Sequence, residues 1–330
     1  MSARRLIGGG LVVAALALAG CAPALPEPAP EPTPPAPLAV LDPDQTAAVI
    51  SALDEVLVAG DAAKDASLLA PRVENPALSM RAAQYTLDER SNGQRPPTPL
   101  TTADQVRVVA ATDTWPRTLI AVTEPPEGTT SPLVLTLKQD DPRDQYHLWT
   151  WARLLPGVET PPLANPETGS PQLPSDASGL VLTPAETVAA FADVLAKGDQ
   201  SEHAATFATN PFLEQVRSEL QSQTSNLEGL ARVELQAAPV EGAVYAMGTV
   251  DDGAVVVGVL TLSTTITKTL SGSTLTLGGP IGQWLGEGTI PSIAKVTYTA
   301  PVVFEVPAAA DGATITVMGA ERVLVDATKQ

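Results

Sequence analysis

The chain is poor in the residues on which most catalytic and metal chemistry depends. Its 330 residues include one cysteine, two histidines and an aromatic fraction of only 4%. A lone cysteine leaves no partner for an intrachain disulfide. His147 and His203 lie far apart and outside any HExxH-type spacing, so no metal is expected. No serine sits in a GxSxG elbow, so nucleophilic catalysis has no candidate. Positive charge is also scarce. Nineteen Lys and Arg face 37 Asp and Glu, a net charge of −18 that excludes nucleic acid and anionic surfaces as natural partners. The acidic residues are scattered without a calcium-loop spacing. The glycine-rich stretch Gly278–Gly288 is no phosphate cradle, because Pro280 removes an amide, Glu287 repels anions and no lysine follows.

The N-terminus supplies what the rest lacks. Arg4 and Arg5 precede the apolar run Leu6–Ala19, too short to span a bilayer and followed by small residues, as in a secretory signal (residues 1–20). Leu18-Ala19-Gly20-Cys21 then resembles, residue for residue, the lipobox of bacterial lipoproteins. That resemblance implies a lipidated Cys21 at the mature N-terminus, a membrane anchor and an extracytoplasmic location on the bacterial cell membrane. Residues 21–40 are proline-rich and favour polyproline II, a stalk of on the order of 50 Å.

Beyond the stalk the sequence repeats itself. Leu41 opens "LDPDQTAAVISALDEVLVAGDAAKDASLLAPRVENPAL" and Leu182 opens "LTPAETVAAFADVLAKGDQSEHAATFATNPFL". Pro43 matches Pro184, Gly60-Asp61 match Gly198-Asp199, and Asn75-Pro76 match Asn210-Pro211. Asp42 and Thr183 are N-cap residues with Gln45 and Glu186 placed for capping boxes. Ile50, Leu53, Val56 and Leu57, like Val188, Phe191, Val194 and Leu195, recur at helical spacing. Gly60 and Gly198 are expected to end these helices.

Strand periodicity follows in each copy. Val106–Ala111, Thr118–Thr123, Pro132–Gln139 and Gln145–Leu155 belong to the first. Ala231–Ala237, Ala243–Val250, Ala254–Thr269, Ile293–Pro307 and Thr314–Asp326 belong to the second. The expected organisation is a first α+β domain (41–155), a proline-rich linker (156–179) and a second α+β domain (180–330). An inserted hairpin and loop (263–291) would pair Thr261–Lys268 with Ser273–Leu277.

"VLVAGDAAKDASLLA" and "VLAKGDQSEHAATFA" resemble the entry to the NTF2-like and cystatin-like superfamily. The whole chain resembles actinobacterial lipoproteins with two such halves. The resemblance implies tandem domains, each with N-terminal helices packed on a curved antiparallel sheet. That fold hosts isomerases, dehydratases and binding domains, so it does not choose a function. Tyr85, Tyr146, Asp88 and Asp113 are available for acid–base roles, but no motif places them in one cavity.

Two segments are candidates for binding. On a regular strand His147, Trp149, Trp151 and Arg153 share one face, either a ligand-stacking wall or a face packed under the first helix. Ile281, Trp284 and Leu285 form an apolar cluster among glycines, either self-packed or a contact site. The expected function is a non-enzymatic, membrane-anchored binding or scaffold module of the cell envelope, without cofactor. The alternatives are a carrier of a small apolar ligand in an NTF2-like cone, or an isomerase or hydratase of that fold. The partner would be an envelope protein or a small apolar ligand, not nucleic acid.

Overall fold

The computed structural model describes residues 36–310 and 312–330, of which Pro37–Gln330 form one compact unit. Residues 1–35, with Cys21, the expected signal and most of the expected stalk, lie outside the described residues. The architecture is α+β, with helices packed on a large mixed sheet and a repeat-like internal order.

Each half begins with a capped helix. In α1 (Pro43–Ala63) Asp42 accepts from the Gln45 amide while Gln45 returns to the Asp42 amide. Thr183 and Glu186 make the same capping box on α3 (Pro184–Lys197). Each box satisfies amides that a helix start leaves unpaired. A 3-10 turn follows each helix, Ala66–Leu68 in the first half and Ala204–Thr206 in the second. The second helices are α2 (Ala77–Arg90) and α4 (Pro211–Asn226). Val73 then forms a parallel bridge to Leu148, and Phe207 forms one to Ile315, at corresponding places in the two halves.

Gly198 does terminate α3, with φ at 62°. Gly60 does not terminate α1. The helix runs on to Ala63 and is capped by Lys64 in the left-handed region. A Cβ on Gly60 would overlap the side chain of the fully buried Leu69, so close approach of the chain following α1 is what this glycine permits.

The strands are β1 (Asp104–Ala111), β2 (Arg117–Thr123), β3 (Leu133–Gln139), β4 (His147–Leu154), β5 (Ser170–Leu173), β6 (Ala231–Gly248), β7 (Ala254–Lys268), β8 (Leu275–Thr276), β9 (Thr289–Ile290), β10 (Ile293–Val306), β11 (Thr316–Ala320) and β12 (Val323–Lys329). The first half forms the meander β1-β2-β3-β4 and the second the meander β6-β7-β10-β11. Their last strands pair, Gly319 with Leu154 and Ala320 with Arg153. Their first strands are bridged by β5, parallel to β1 and antiparallel to β6. These pairings close a ring, and β12 adds beside the first part of β10. The proline-rich stretch 156–179 therefore contributes a strand that stitches the halves together, where an irregular linker was expected.

Alternation along the strands divides the apolar residues into layers. Leu119 and Ala121 face α1 and α2, whereas Ile120 and Val122 face the interior of the ring. Val256 and Leu260 face α3 and α4, whereas Val255, Val257 and Val259 face inward. Strands buried on both faces read as continuous apolar runs, as "AVVVGVL" does. Gly258 interrupts that run because a Cβ there would overlap Val188 of α3.

The expected hairpin between Thr261–Lys268 and Ser273–Leu277 does not form. Thr261–Lys268 is the end of β7, paired to β6 and β10, and β8 pairs instead with β9. Between β8 and β9 lies the short helix α5 (Gly279–Leu285). The Thr314–Asp326 strand is likewise divided into β11 and β12.

Candidate functional site

Among the described residues the space enclosed by the ring is packed with apolar side chains. A gap there, lined by Val108, Ile120, Val134, Leu163, Val303 and Met318 among others, measures about 10 Å³, too small for more than a water.

The β4 candidates do not form one wall. Leu148 pairs with Leu137 and Thr150 with Thr136, which makes Trp149 an extra residue in a β-bulge. The bulge breaks the alternation. Trp151, fully buried, packs beneath the helices of the first half, while Trp149 turns into the ring interior and meets Tyr245 edge-on at 4.7 Å. Arg153 is neutralised by Glu321, both Nε and a terminal nitrogen lying 3.1 Å from Oε2. His147 Nδ1 lies 3.9 Å from Asp144. Ile281, Trp284 and Leu285 all lie on α5, where Trp284 joins a core that the first half shares with β10 and β12, and the other two pack against it. Arg90 covers the Trp284 ring at 5.0 Å and donates to its carbonyl oxygen. This cluster is self-packed, on β12 of its own sheet and on α2 of the first half.

Besides a cleft of about 500 Å³ between Pro156–Pro162 and the start of α4, two open clefts among the described residues lie against the helices. One, of about 560 Å³, lies where the C-terminus of α1 meets α2 and is lined by Lys64, Tyr85, Asp88 and Glu89. Tyr85 and Asp88 thus come together, whereas Tyr146 lies in the core and Asp113 is exposed on a loop. Behind this cleft Asp61 accepts from the Tyr85 hydroxyl and from both Nε and a terminal nitrogen of buried Arg81. Burial, and then the Asp61 carboxylate, pushes the Tyr85 phenol well above its ordinary range. Lys64 closes over one oxygen of Asp88, and the other Asp88 oxygen is buried without a partner.

The second cleft measures about 710 Å³ and draws on both halves. Its walls are α2 with the segment Gln94–Thr98 on one side and α4 on the other. Val323 and Leu324 of β12 and Tyr298 of β10 form the floor, and Pro280 and Ile281 of α5 close one end. Both carboxylates here are paired with arginines. Arg322 binds Glu219 and lies over the Tyr298 ring at 4.8 Å, and Glu321 is held by Arg153. Burial raises the Tyr298 phenol, so it is a neutral donor at pH 7. Ser222 and Gln223 make no side-chain hydrogen bond to the described residues, and Gln94 meets only Gln283, at 3.4 Å.

Of the second cleft's residues only Ile281 was a binding candidate in the sequence. Gln94, Gln223 and Tyr298 are far apart in the chain and share no motif, so tertiary packing alone brings them together. Among the described residues no group of three or more His, Cys, Asp and Glu is placed to hold a metal ion.

No curated protein and no solved structure matches the chain. A family model described as a domain of unknown function, DUF8094, matches residues 38–329. The match covers both halves and the strand that joins them, and the chain accordingly belongs to the DUF8094 family.

Proposed function

We propose that the chain is a lipid-anchored, extracytoplasmic module of the bacterial envelope that binds or scaffolds another envelope component on its outer surface. The filled ring interior carries this reading. A carrier of a small apolar ligand needs an enclosed cavity of roughly 300 Å³ or more, and the gap of about 10 Å³ offers none. Each half is, in this reading, an NTF2-like or cystatin-like unit. Its helices cover one face of the meander, and the opposite face is spent on the other half. What remains for recognition is the outside, and the cleft shared by α2 and α4 is its largest concavity among those described above.

The anchor rests on Leu18–Cys21 and the preceding apolar run. Two or three acyl chains, at roughly 0.8 kcal/mol per buried methylene, would hold the folded unit at the membrane. The proline-rich stalk would hold it away from the lipid, which suits a surface-displayed binder. The test is a Cys21→Ala variant of the full chain. It should leave the membrane fraction or accumulate as unprocessed precursor. Maturation and fractionation like the parent would overturn the anchor.

A further inference from the structure

We propose that the free edge of β6, from Ala231 to Pro239, pairs antiparallel with the same edge of a second copy and makes the chain a dimer with one continuous sheet. The pairing goes beyond the proposed function and does not depend on the anchor. This part of β6 has β7 on one side and, among the described residues, no strand on the other, because β5 joins β6 only at Ala246 and Met247. Arg232, Glu234, Gln236 and Ala238 are exposed, whereas Ala231, Val233, Leu235 and Ala237 alternate with them and are half-buried. Leu235 and Ala237 pack toward the core of α3 and α4, and Ala231 and Val233 toward Ile266 and Leu275. A strand added alongside would cover their open sides.

One bond gives the direction of the backbone groups. The Thr269 amide donates to the Leu230 carbonyl at 2.9 Å. Carried along the register from Ala231↔Lys268 to Ala238↔Thr261, antiparallel alternation turns the N–H and C=O groups of Arg232, Glu234, Gln236 and Ala238 toward β7. Those of Val233, Leu235 and Ala237 point to the open side. The Ala231 amide is already spent on the Leu227 carbonyl, and Pro239 has no N–H.

The unspent groups are therefore centred on Leu235. A two-fold axis there sets Val233 opposite Ala237 and Leu235 opposite Leu235 of the second copy, and all of these groups pair in about six hydrogen bonds. Glu234 then stands opposite Gln236 in both directions, a carboxylate against an amide donor, while Arg232 holds its own Glu234 at 3.4 Å. The neighbouring registers are worse. An axis at Glu234 sets two carboxylates face to face, one at Val233 calls on the occupied Ala231 amide, and one at Gln236 calls on Pro239. Residues 22–35 of the chain cannot supply the added strand, because half of them are proline and lack the donors of a ladder.

The test is sedimentation equilibrium of the full chain in density-matched detergent. Salt of about 0.15 M screens the repulsion between copies of net charge −18. A monomer–dimer equilibrium is expected. Gln236→Glu, which opposes carboxylates at both symmetric contacts, should weaken the dimer about fivefold, and Gln236→Lys should tighten it by a similar factor. Ala237→Pro removes an outward amide without touching the β7 ladder and should weaken it about tenfold. Gln236 is exposed, so its two variants should keep the parent's circular dichroism and decide the matter even if Ala237→Pro misfolds. Register is read by mixing a Glu234→Cys chain with a Gln236→Cys chain. These positions face each other as a close, non-hydrogen-bonded pair, so oxidation should cross-link the mixture beyond either chain alone and beyond the parent. The proposal is overturned if the parent sediments as a monomer, or if it dimerises with the same constant in both Gln236 variants. It is also overturned if the mixture cross-links no better than either chain alone. Capture of an extended peptide on β6 by a monomeric chain would overturn it in favour of a foreign strand. None of these failures would alter Cys21-dependent membrane retention, so the dimer and the anchor are judged separately.

Discussion

At Asp61 three donors converge on one carboxylate. Arg81 reaches it with Nε at 2.8 Å and with a second nitrogen, while the Tyr85 hydroxyl donates from the next turn of α2. The same guanidinium donates to Gln84 at 2.8 Å and to the Thr98 carbonyl at 2.6 Å, and so ties α1, α2 and the following segment together. Arg81→Ala leaves Asp61 without its cation and the Thr98 carbonyl without its donor. The expected cost is about 3 kcal/mol in urea unfolding at pH 7, and Arg81→Lys should recover only part because an ammonium cannot fork. A loss below about 1 kcal/mol would show the pair to behave like an exposed one. The sequence had marked Tyr85 and Asp88 as acid–base types, and Asp61 as part of the repeated Gly-Asp pair. Arg81 carried no signal, because a buried arginine on a helix looks like an exposed one until its partners are placed. The β4 tryptophans fail for another reason. Period-two alternation assumes an unbroken ladder, and the extra residue at Trp149 is decided by the fit of β4 to β3, which no local pattern records.

Helix α5 shows what an element can hide. Seven residues with four glycines just outside or within them have little intrinsic helicity, and the apolar cluster could have served as a contact surface. Instead Trp284, 9% exposed, is clamped between Arg90 of α2 and a core shared by the first half and β12, and β8 pairs with β9 to hold the helix in place. The double change Trp284→Ala and Leu285→Ser should therefore lower stability by roughly 3–5 kcal/mol, by analogy with buried tryptophan truncations. Thermal melting checks this, and an unchanged melting temperature would return the loop to the list of contact sites. The long helices were legible because their signals are local: Asp42 with Gln45 and Thr183 with Glu186 fix the starts, and apolar spacing fixes the buried faces. The pairing of β8 was not legible, since a two-residue strand takes its partner from the position of α5. Gly60 was misread for a related reason. Glycine serves both helix ends and close approaches, and only the position of Leu69 distinguishes the two uses.

Over the whole molecule the doubling that the sequence displays becomes a pair of meanders joined first strand to first strand and last to last. Repetition was visible in the helices, but the joining was not, because β5 sits in a proline-rich stretch whose composition reads as a linker. One consequence of burying both faces of so many strands is common to both halves. The chain has four tyrosines, Tyr85, Tyr146, Tyr245 and Tyr298, and burial is the foremost cause raising the pKa of every one. Tyr146, buried with its hydroxyl unpartnered, is pushed up to about 12. An unfolded chain releases phenol protons near pH 10. Above that pH the native state keeps protons that the unfolded state has lost, so unfolding becomes easier as pH rises. The tyrosine contribution is intact below pH about 10 and drains away between there and the raised native values. Phenolate absorbance should accordingly stay low as pH is raised past 10, then appear together with the loss of the circular dichroism signal in one cooperative step. Gradual appearance of phenolate near pH 10, with the dichroism signal unchanged, would mean that these hydroxyls reach water in the native state and that the layers are more loosely packed than described.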